Sequence, residues 1–267
     1  MFRTITVLVG AALTVSLGIQ LDAQEPDHIL ADYALTSWTT KDGLAGKVWA
    51  IAQDRDGYLW LGTGSGLLRF DGARFATWES MGGAPLPSGS VRALWASDDG
   101  TLWVGFGEAA VISRLREGLV QTFGEAEGLV PAAVSAFAED RSGRIWASTG
   151  SGLFGFSDGR WQHADAATGL PAGAATSVYI DGKGTLLAGT ASAVYARAEG
   201  ASRFEPVAGS SATVRSLTED AEGALWVSDP LVGFRRLVER PGLSESRPGR
   251  GFRVLHDRRG DLWVGTL

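Results

Sequence analysis

Cysteine is absent from this 267-residue chain, which removes disulfide scaffolds, thiolate metal sites, cysteine nucleophiles and a lipoprotein anchor together. Histidine occurs only at His28, His163 and His256, scattered and at no ligand spacing, so histidine chemistry has few players. Basic residues are outnumbered, 24 Lys and Arg against 30 Asp and Glu. The net charge of −6 argues against nucleic acid as a partner, because phosphate binding needs a basic face. No stretch shows the 3.6-residue period of an amphipathic helix. Glycine, with 37 residues, and tryptophan, with 10, are what the chain has in excess. Apolar residues at 45% and charged ones at 20% fit a globular chain with a sizeable core.

The N-terminus reads as a targeting segment. Met1-Phe2-Arg3 precedes an uncharged run from Ile5 to Ile19, and Ala23 supplies a small residue where signal peptidase would cut. The expected organisation is a signal peptide over 1–23 and one repeat domain over 24–267. An uncleaved anchor helix is the alternative, although the run is short of the ~20 apolar residues of a span. Either reading puts the remainder on the periplasmic or extracellular face.

The rest of the chain is one repeat. Six segments share a pattern: Asp54 to Trp60, Ser97 to Trp103, Asp140 to Trp146, Asp181 to Leu187, Asp220 to Trp226 and Asp257 to Trp263, spaced by 43, 43, 41, 39 and 37 residues. The fourth position is glycine in all six (Gly57, Gly100, Gly143, Gly184, Gly223, Gly260), as a tight hairpin with positive φ requires. Aspartate at the turn start accepts backbone N–H groups. Six residues before each glycine stands an inner-strand apolar residue: Ile51, Leu94, Phe137, Val178, Leu217 and Val254. The strand holding Trp is apolar at adjacent positions, so both of its faces should be buried, and the small residue two places after Trp leaves room for a neighbour. A third strand follows (Gly66–Phe70, Gly152–Phe156). Asp71-Gly72, Glu117-Gly118, Asp158-Gly159 and Glu199-Gly200 read as two-residue hairpin turns before a fourth, aromatic strand. Four short antiparallel strands per ~40–45 residues make the blade of a β-propeller. The expected fold is therefore all-β: five full blades and part of a sixth, centred on Trp60, Trp103, Trp146, Leu187, Trp226 and Trp263, in an incomplete ring.

Trp38-Thr-Thr-Lys-Asp-Gly-Leu44, Gln53-Asp54-Arg-Asp-Gly57-Tyr-Leu-Trp60-Leu-Gly-Thr63 and Gly66-Leu-Leu-Arg-Phe-Asp-Gly72 resemble the two-component regulator propeller repeat. The resemblance runs over about 33–267 and is worn in the second, fourth and fifth units. It implies the ligand-sensing part of a sensor whose membrane helix and output module, a histidine kinase or diguanylate cyclase, follow the propeller. The expectation is thus an N-terminal piece of a longer sensor, or the product of a truncated gene model, with unpaired strand edges prone to association.

Catalytic signatures give way to structural ones. Asp54-Arg-Asp56-Gly57 lacks the later ligands of a calcium loop. Ser65 and Ser151 lack the strand-to-helix setting of a nucleophile elbow, and Gly62–Gly66 lacks the Lys-Ser/Thr and helix of a phosphate loop. No catalytic residue, cofactor or metal is expected, and the chain itself is not read as an enzyme. A propeller's ligand sits over the central channel, reached from the loops entering the innermost strands; that register selects Lys47, Ser90, Thr213 and Arg250, with Ala133 and Ala174 completing the set. The reading is a sensing module for a small ligand such as a glycan, linked to a membrane-bound output domain. A secreted propeller enzyme (a lyase or quinone-dependent dehydrogenase) and a protein-binding scaffold remain as alternatives.

Overall fold

The computed structural model describes residues 37–108, 111–208, 210, 214–229, 233–237, 246–247, 251–256 and 262–266, the last three segments and Phe234 as backbone only. The signal segment, His28, Thr213 and Arg250 lie outside the described residues. Five antiparallel four-stranded sheets follow one another in chain order. Blade 1 is β1 (Val48–Gln53), β2 (Leu59–Thr63), β3 (Gly66–Phe70) and β4 (Phe75–Thr77). Blade 2 is β5 (Val91–Ala96), β6 (Leu102–Phe106), β7 (Ile112–Arg116) and β8 (Leu119–Phe123). Blade 3 is β9 (Val134–Glu139), β10 (Ile145–Thr149), β11 (Gly152–Ser157) and β12 (Arg160–Ala164). Blade 4 is β13 (Ala175–Ile180), β14 (Leu186–Thr190), β15 (Val194–Arg197) and β16 (Glu205–Pro206). Blade 5 is β17 (Ser216–Glu219), β18 (Leu225–Asp229), β19 (Gly233–Arg236) and β20 (Ser246–Arg247). A two-stranded antiparallel pair, β21 (Gly251–His256) and β22 (Leu262–Thr266), lies against β17 and β18. The first strands of successive blades pack on one another, β1 on β5, β5 on β9, β9 on β13 and β13 on β17, which makes them the inner strands of a propeller.

The cores lie between blades. The tryptophan face of each blade packs on the inner-row face of the next: Trp60 and Leu67 with Leu94 and Val104, Trp103 with Phe137 and Ala147, Trp146 and Leu153 with Val178 and Ala188, Leu187 and Val194 with Leu217 and Val227. This is why the second strands are apolar at adjacent positions and buried along nearly their whole length. The small residue after Trp has a specific neighbour. A Cβ on Gly105 would stand 2.5 Å from Val134 Cγ1, and one on Gly62 would stand 2.6 Å from Val91 Cγ1. Valine on the next inner strand fills the space that glycine leaves.

In blades 1, 3 and 5 the turn aspartate is a clamp. Asp140 Oδ1 accepts the N–H groups of Ser142 (3.0 Å) and Arg144 (3.1 Å), and Oδ2 accepts Trp146 Nε1–H at 2.9 Å. Asp54 and Asp220 repeat this with Trp60 (2.8 Å) and Trp226 (2.7 Å). The turn glycines beside these clamps have φ of 78–89°. Trp146 is further held by Arg144 and Arg197, whose guanidinium carbons lie 4.4 and 4.5 Å from its ring centroid.

Two expectations need correcting. Glu117-Gly118 and Asp158-Gly159 do form two-residue turns with positive φ at both positions. Asp71-Gly72 instead opens a four-residue loop closed by Asp71 N–H to Arg74 O, and Glu199-Gly200 sits in a longer connection between β15 and β16. There the Asp71 carboxylate accepts the N–H groups of Ala73 and Arg74, a local alternative to the tight turn. Ile51, expected among the inner-strand core residues, is 61% exposed, whereas Leu94, Phe137, Val178 and Leu217 are below 10%. Its row faces away from blade 2, and no described blade covers that side.

Candidate ligand-binding mouth

The inner strands of blades 1 to 4 share a defect in their pairing with the second strands, which β17 of blade 5 lacks. Register shifts separate Val48 from Ala50, Val91 from Ala93 and Ala175 from Ser177; in blade 3 Val134 and Ala136 pair with Thr149 and Ser148 while Ser135 is skipped. The β21–β22 pair carries the same shift between Gly251 and Arg253. Such a β-bulge frees one residue from the ladder and re-aims its side chain. The freed residues are Trp49, Arg92, Ser135 and Thr176. All stand one residue inside the N-terminal ends of inner strands, at one mouth of the ring.

At blades 1 and 2 these residues meet. Trp49 carries Lys47 Nζ 4.5 Å from its ring centroid and, from the next blade, Arg92 Cζ at 4.1 Å. Lys47 and Arg92 are exposed and Trp49 is half-buried. Neither cation has a carboxylate within 4.0 Å among the described residues, and Trp49 Nε1–H donates to no protein group there. Gly107 makes the arrangement possible, since a Cβ at that position would lie 2.8 Å from Arg92 Cγ. The backbone beneath is pinned: Gly64 N–H donates to Lys47 O (3.3 Å), Gly107 N–H to Ser90 O (2.9 Å) and Gly150 N–H to Ala133 O (3.0 Å). Across the mouth the freed residues are short. Thr176 is spent on structure, its hydroxyl donating to the Val214 carbonyl of blade 5. Among blades 1 to 4 the column is therefore uneven, with charge and an indole on blades 1 and 2 and small hydroxyls on blades 3 and 4, while blade 5 carries Arg215 at the equivalent place.

Lys47 and Ser90 stand directly before β1 and β5, as their register requires, and Lys47 joins the cluster. Thr213 and Arg250 fall outside the described residues. Trp49 and Arg92 were missed, although a signal existed: the triplets Val48-Trp-Ala50, Val91-Arg-Ala93 and Val134-Ser-Ala136 vary only in their middle residue. Strict alternation would place that residue in the ladder, and only the bulge takes it out.

Elsewhere the polar groups have local duties. Ser151 Oγ donates to Val130 O, and the His163 ring lies 4.7 Å from that of Phe154. A cavity of about 250 Å³ opens between blades 1 and 2 at the hairpin end, lined by Asp54, Trp60, Arg69, Trp78 and Arg116 among others. Its Asp54 and Trp60 are paired with each other. Among the described residues no group of three or more His, Asp or Glu could hold a metal ion, and no helix is long and apolar enough to cross a membrane.

Five four-stranded blades whose first strands pack on one another in succession, four of them bulged near the N-terminal end, define a β-propeller. Residues 42–65 match the two component regulator propeller family. The fold is similar to the extracellular domain of the hybrid two component system BT3049 from B. thetaiotaomicron (TM-score 0.73, 18% identity over 86% of this chain and 34% of that one). It is also similar to the extracellular domain of BT4673 from the same organism (TM-score 0.58, 16% identity, 83% and 37% covered). Virginiamycin B lyase from Staphylococcus aureus shares it too (TM-score 0.66, 16% identity, 82% and 77% covered). At these identities the likeness shows the fold, and the chain spans about a third of the first of these structures. No curated protein sequence matches the chain.

Proposed function

We propose that this chain is the ligand-sensing propeller of a sensor acting on the periplasmic or extracellular face, with a histidine kinase, diguanylate cyclase or similar output in the full-length protein. The observation that carries the reading is the mouth cluster: Lys47, Trp49 and Arg92 are drawn from two adjacent blades, and among the described residues no carboxylate pairs with either cation and no acceptor meets the indole N–H. A ligand seated there touches both blades, so occupancy would shift the blade–blade packing and pass to a downstream domain as a change in populations. The likeness to extracellular domains of two component systems supports this direction. In the same reading β21 and β22 are the first strands of a sixth blade, since they repeat the inner-strand bulge and stack on blade 5, and the open Ile51 row of blade 1 receives the blade that closes the ring. The lyase likeness carries less weight, because it rests on fold alone at 16% identity, whereas residues 42–65 match the regulator propeller family.

Calorimetric titration of the purified chain with a panel of neutral and charged oligosaccharides and peptides tests the reading, with W49A as the control. Saturable binding that W49A weakens tenfold or more, about 1.4 kcal/mol, supports it. Binding that W49A leaves unchanged, or no binding across the panel, rejects it.

A further inference from the structure

We infer that the mouth between blades 1 and 2 selects anionic ligands, and specifically carboxylated sugars, with Lys47 and Arg92 as the carboxylate-binding pair and Trp49 as the platform that holds them. The inference rests on the sensing reading above and adds the ligand class.

The argument starts from charge. Lys47 Nζ and Arg92 Cζ lie 4.5 and 4.1 Å from one indole centroid, so the two cations are within about 9 Å of each other. Like charges at that range repel, and neither is compensated by a carboxylate among the described residues. The protein as a whole is acidic, with a net charge of −6, so two uncompensated cations at one point contrast with its general surface. Each cation is drawn to the electron-rich indole, an interaction that grows as water is excluded. An anion bridging the two would relieve their repulsion and receive charge-assisted hydrogen bonds, with the guanidinium offering a planar fork.

The remaining donors and acceptors suit the rest of such a ligand. Trp49 Nε1–H, at the edge of the indole, meets no acceptor among the described residues. Ser90 and Ser65 border the same ground: a Cβ on Gly107 would approach Ser90 Oγ to 3.0 Å, and one on Gly46 would approach Ser65 Oγ to 2.9 Å. Hydroxyls and an N–H beside a cation pair match a compact ligand with one carboxylate and several hydroxyl groups. A hexuronate is the simplest member of that class.

The test is calorimetric titration with sodium galacturonate and, separately, galactose at constant ionic strength, using the full chain and its K47Q, R92Q and W49A variants. Circular dichroism melts establish that each variant is folded. The expected result is saturable galacturonate binding at least tenfold tighter than galactose binding, weakened tenfold or more by K47Q and by R92Q and eased by added salt. Equal affinity for the two sugars, lost in W49A, would overturn the anion selectivity and keep the mouth as the binding site. Galacturonate binding untouched by all three substitutions would overturn both. No galacturonate binding to the folded chain would overturn the ligand class, while leaving the wider panel to decide the sensing reading.

Discussion

Blades 1 and 3 carry the same motif, Asp-x-x-Gly-x-Leu/Ile-Trp, and fold into the same four strands. Yet Ile51 of blade 1 is 61% exposed, whereas Phe137, its counterpart in blade 3, is 6% exposed. The difference teaches that a blade is stable as one of a series rather than as a unit, because each interior row needs the tryptophan face of the preceding blade. The comparison breaks most sharply under truncation. Phe137→Ala should cost about 3–5 kcal/mol in chemical denaturation of the chain, the usual range for emptying an aromatic core position. Ile51→Ala should cost less than about 1 kcal/mol, since an exposed side chain loses little on truncation. Similar losses at the two sites would mean that Ile51 is covered in solution. A longer chain that supplies a closing blade should raise the cost at Ile51 and leave that at Phe137 unchanged.

The glycines offer a second contrast, between contact and conformation. Gly105 has no positive φ but gives way to Val134, while Gly57 has φ of 89° and open space around it. Gly105→Ala should cost about 1–3 kcal/mol by overpacking, and trimming the neighbour in Gly105→Ala/Val134→Ala should return part of that loss, the coupling expected of touching residues. Gly57→Ala should cost about 1–2 kcal/mol through backbone strain, and no neighbouring substitution should rescue it. Thermal melts of the double variant distinguish the two mechanisms.

Much of this architecture was legible because repetition multiplies weak signals. One Asp-x-x-Gly turn is ambiguous, but six at near-constant spacing, each followed by an apolar strand, fix blade boundaries to within a residue or two. The same repetition hid the mouth. Trp49 and Arg92 occupy a column whose content changes from blade to blade, so it carries no consensus, and alternation places them on a ladder that the bulge in fact interrupts. The indole clamp was half visible: the Asp54, Asp140 and Asp220 columns announced a turn, but the bond from tryptophan six residues on depends on how the hairpin twists. Asp71 shows the opposite failure, since Asp-Gly fits both a two-residue turn and the longer loop that its carboxylate stabilises.

Blades 3 and 4 separate the two halves of that clamp. Asp181 accepts two backbone N–H groups as Asp140 does, but Leu187 replaces the tryptophan and offers no donor. Asp140→Asn should therefore destabilise by about 1–2 kcal/mol more than Asp181→Asn at neutral pH, the worth of a hydrogen bond to a charged acceptor. Burial pushes the Asp140 carboxyl up, but the bonds from Ser142, Trp146 and the Arg144 backbone outweigh it and hold it below the ordinary value of 3.8. A depressed folded-state pKa adds stability that is complete above the ordinary value and disappears as pH falls through the lower one. The gap between the native chain and Asp140→Asn should thus close on acidification below pH 3.8, which denaturation curves across that window measure.

Blade 2 is the converse of blade 4, because it keeps the tryptophan and lacks the aspartate. Ser97 stands at the clamp position, its hydroxyl buried with no hydrogen-bond partner among the described residues, and the turn is fastened instead by Thr101 N–H donating to Asp99 Oδ1 at 2.9 Å. Trp103 Nε1–H has no acceptor among the described residues. Ser97→Asp would supply one carboxylate oxygen to the turn and the other to that indole, the geometry seen at Asp54, Asp140 and Asp220. Against this stand the cost of burying a charge and the neighbouring carboxylates of Asp98 and Asp99. The net effect should be the smallest of the series, a gain of under about 1 kcal/mol at neutral pH that vanishes in acid. A loss of stability at neutral pH would show that the Asp99 fastening excludes a second carboxylate, so that the blade 2 turn is a separate solution rather than an eroded copy of its neighbours.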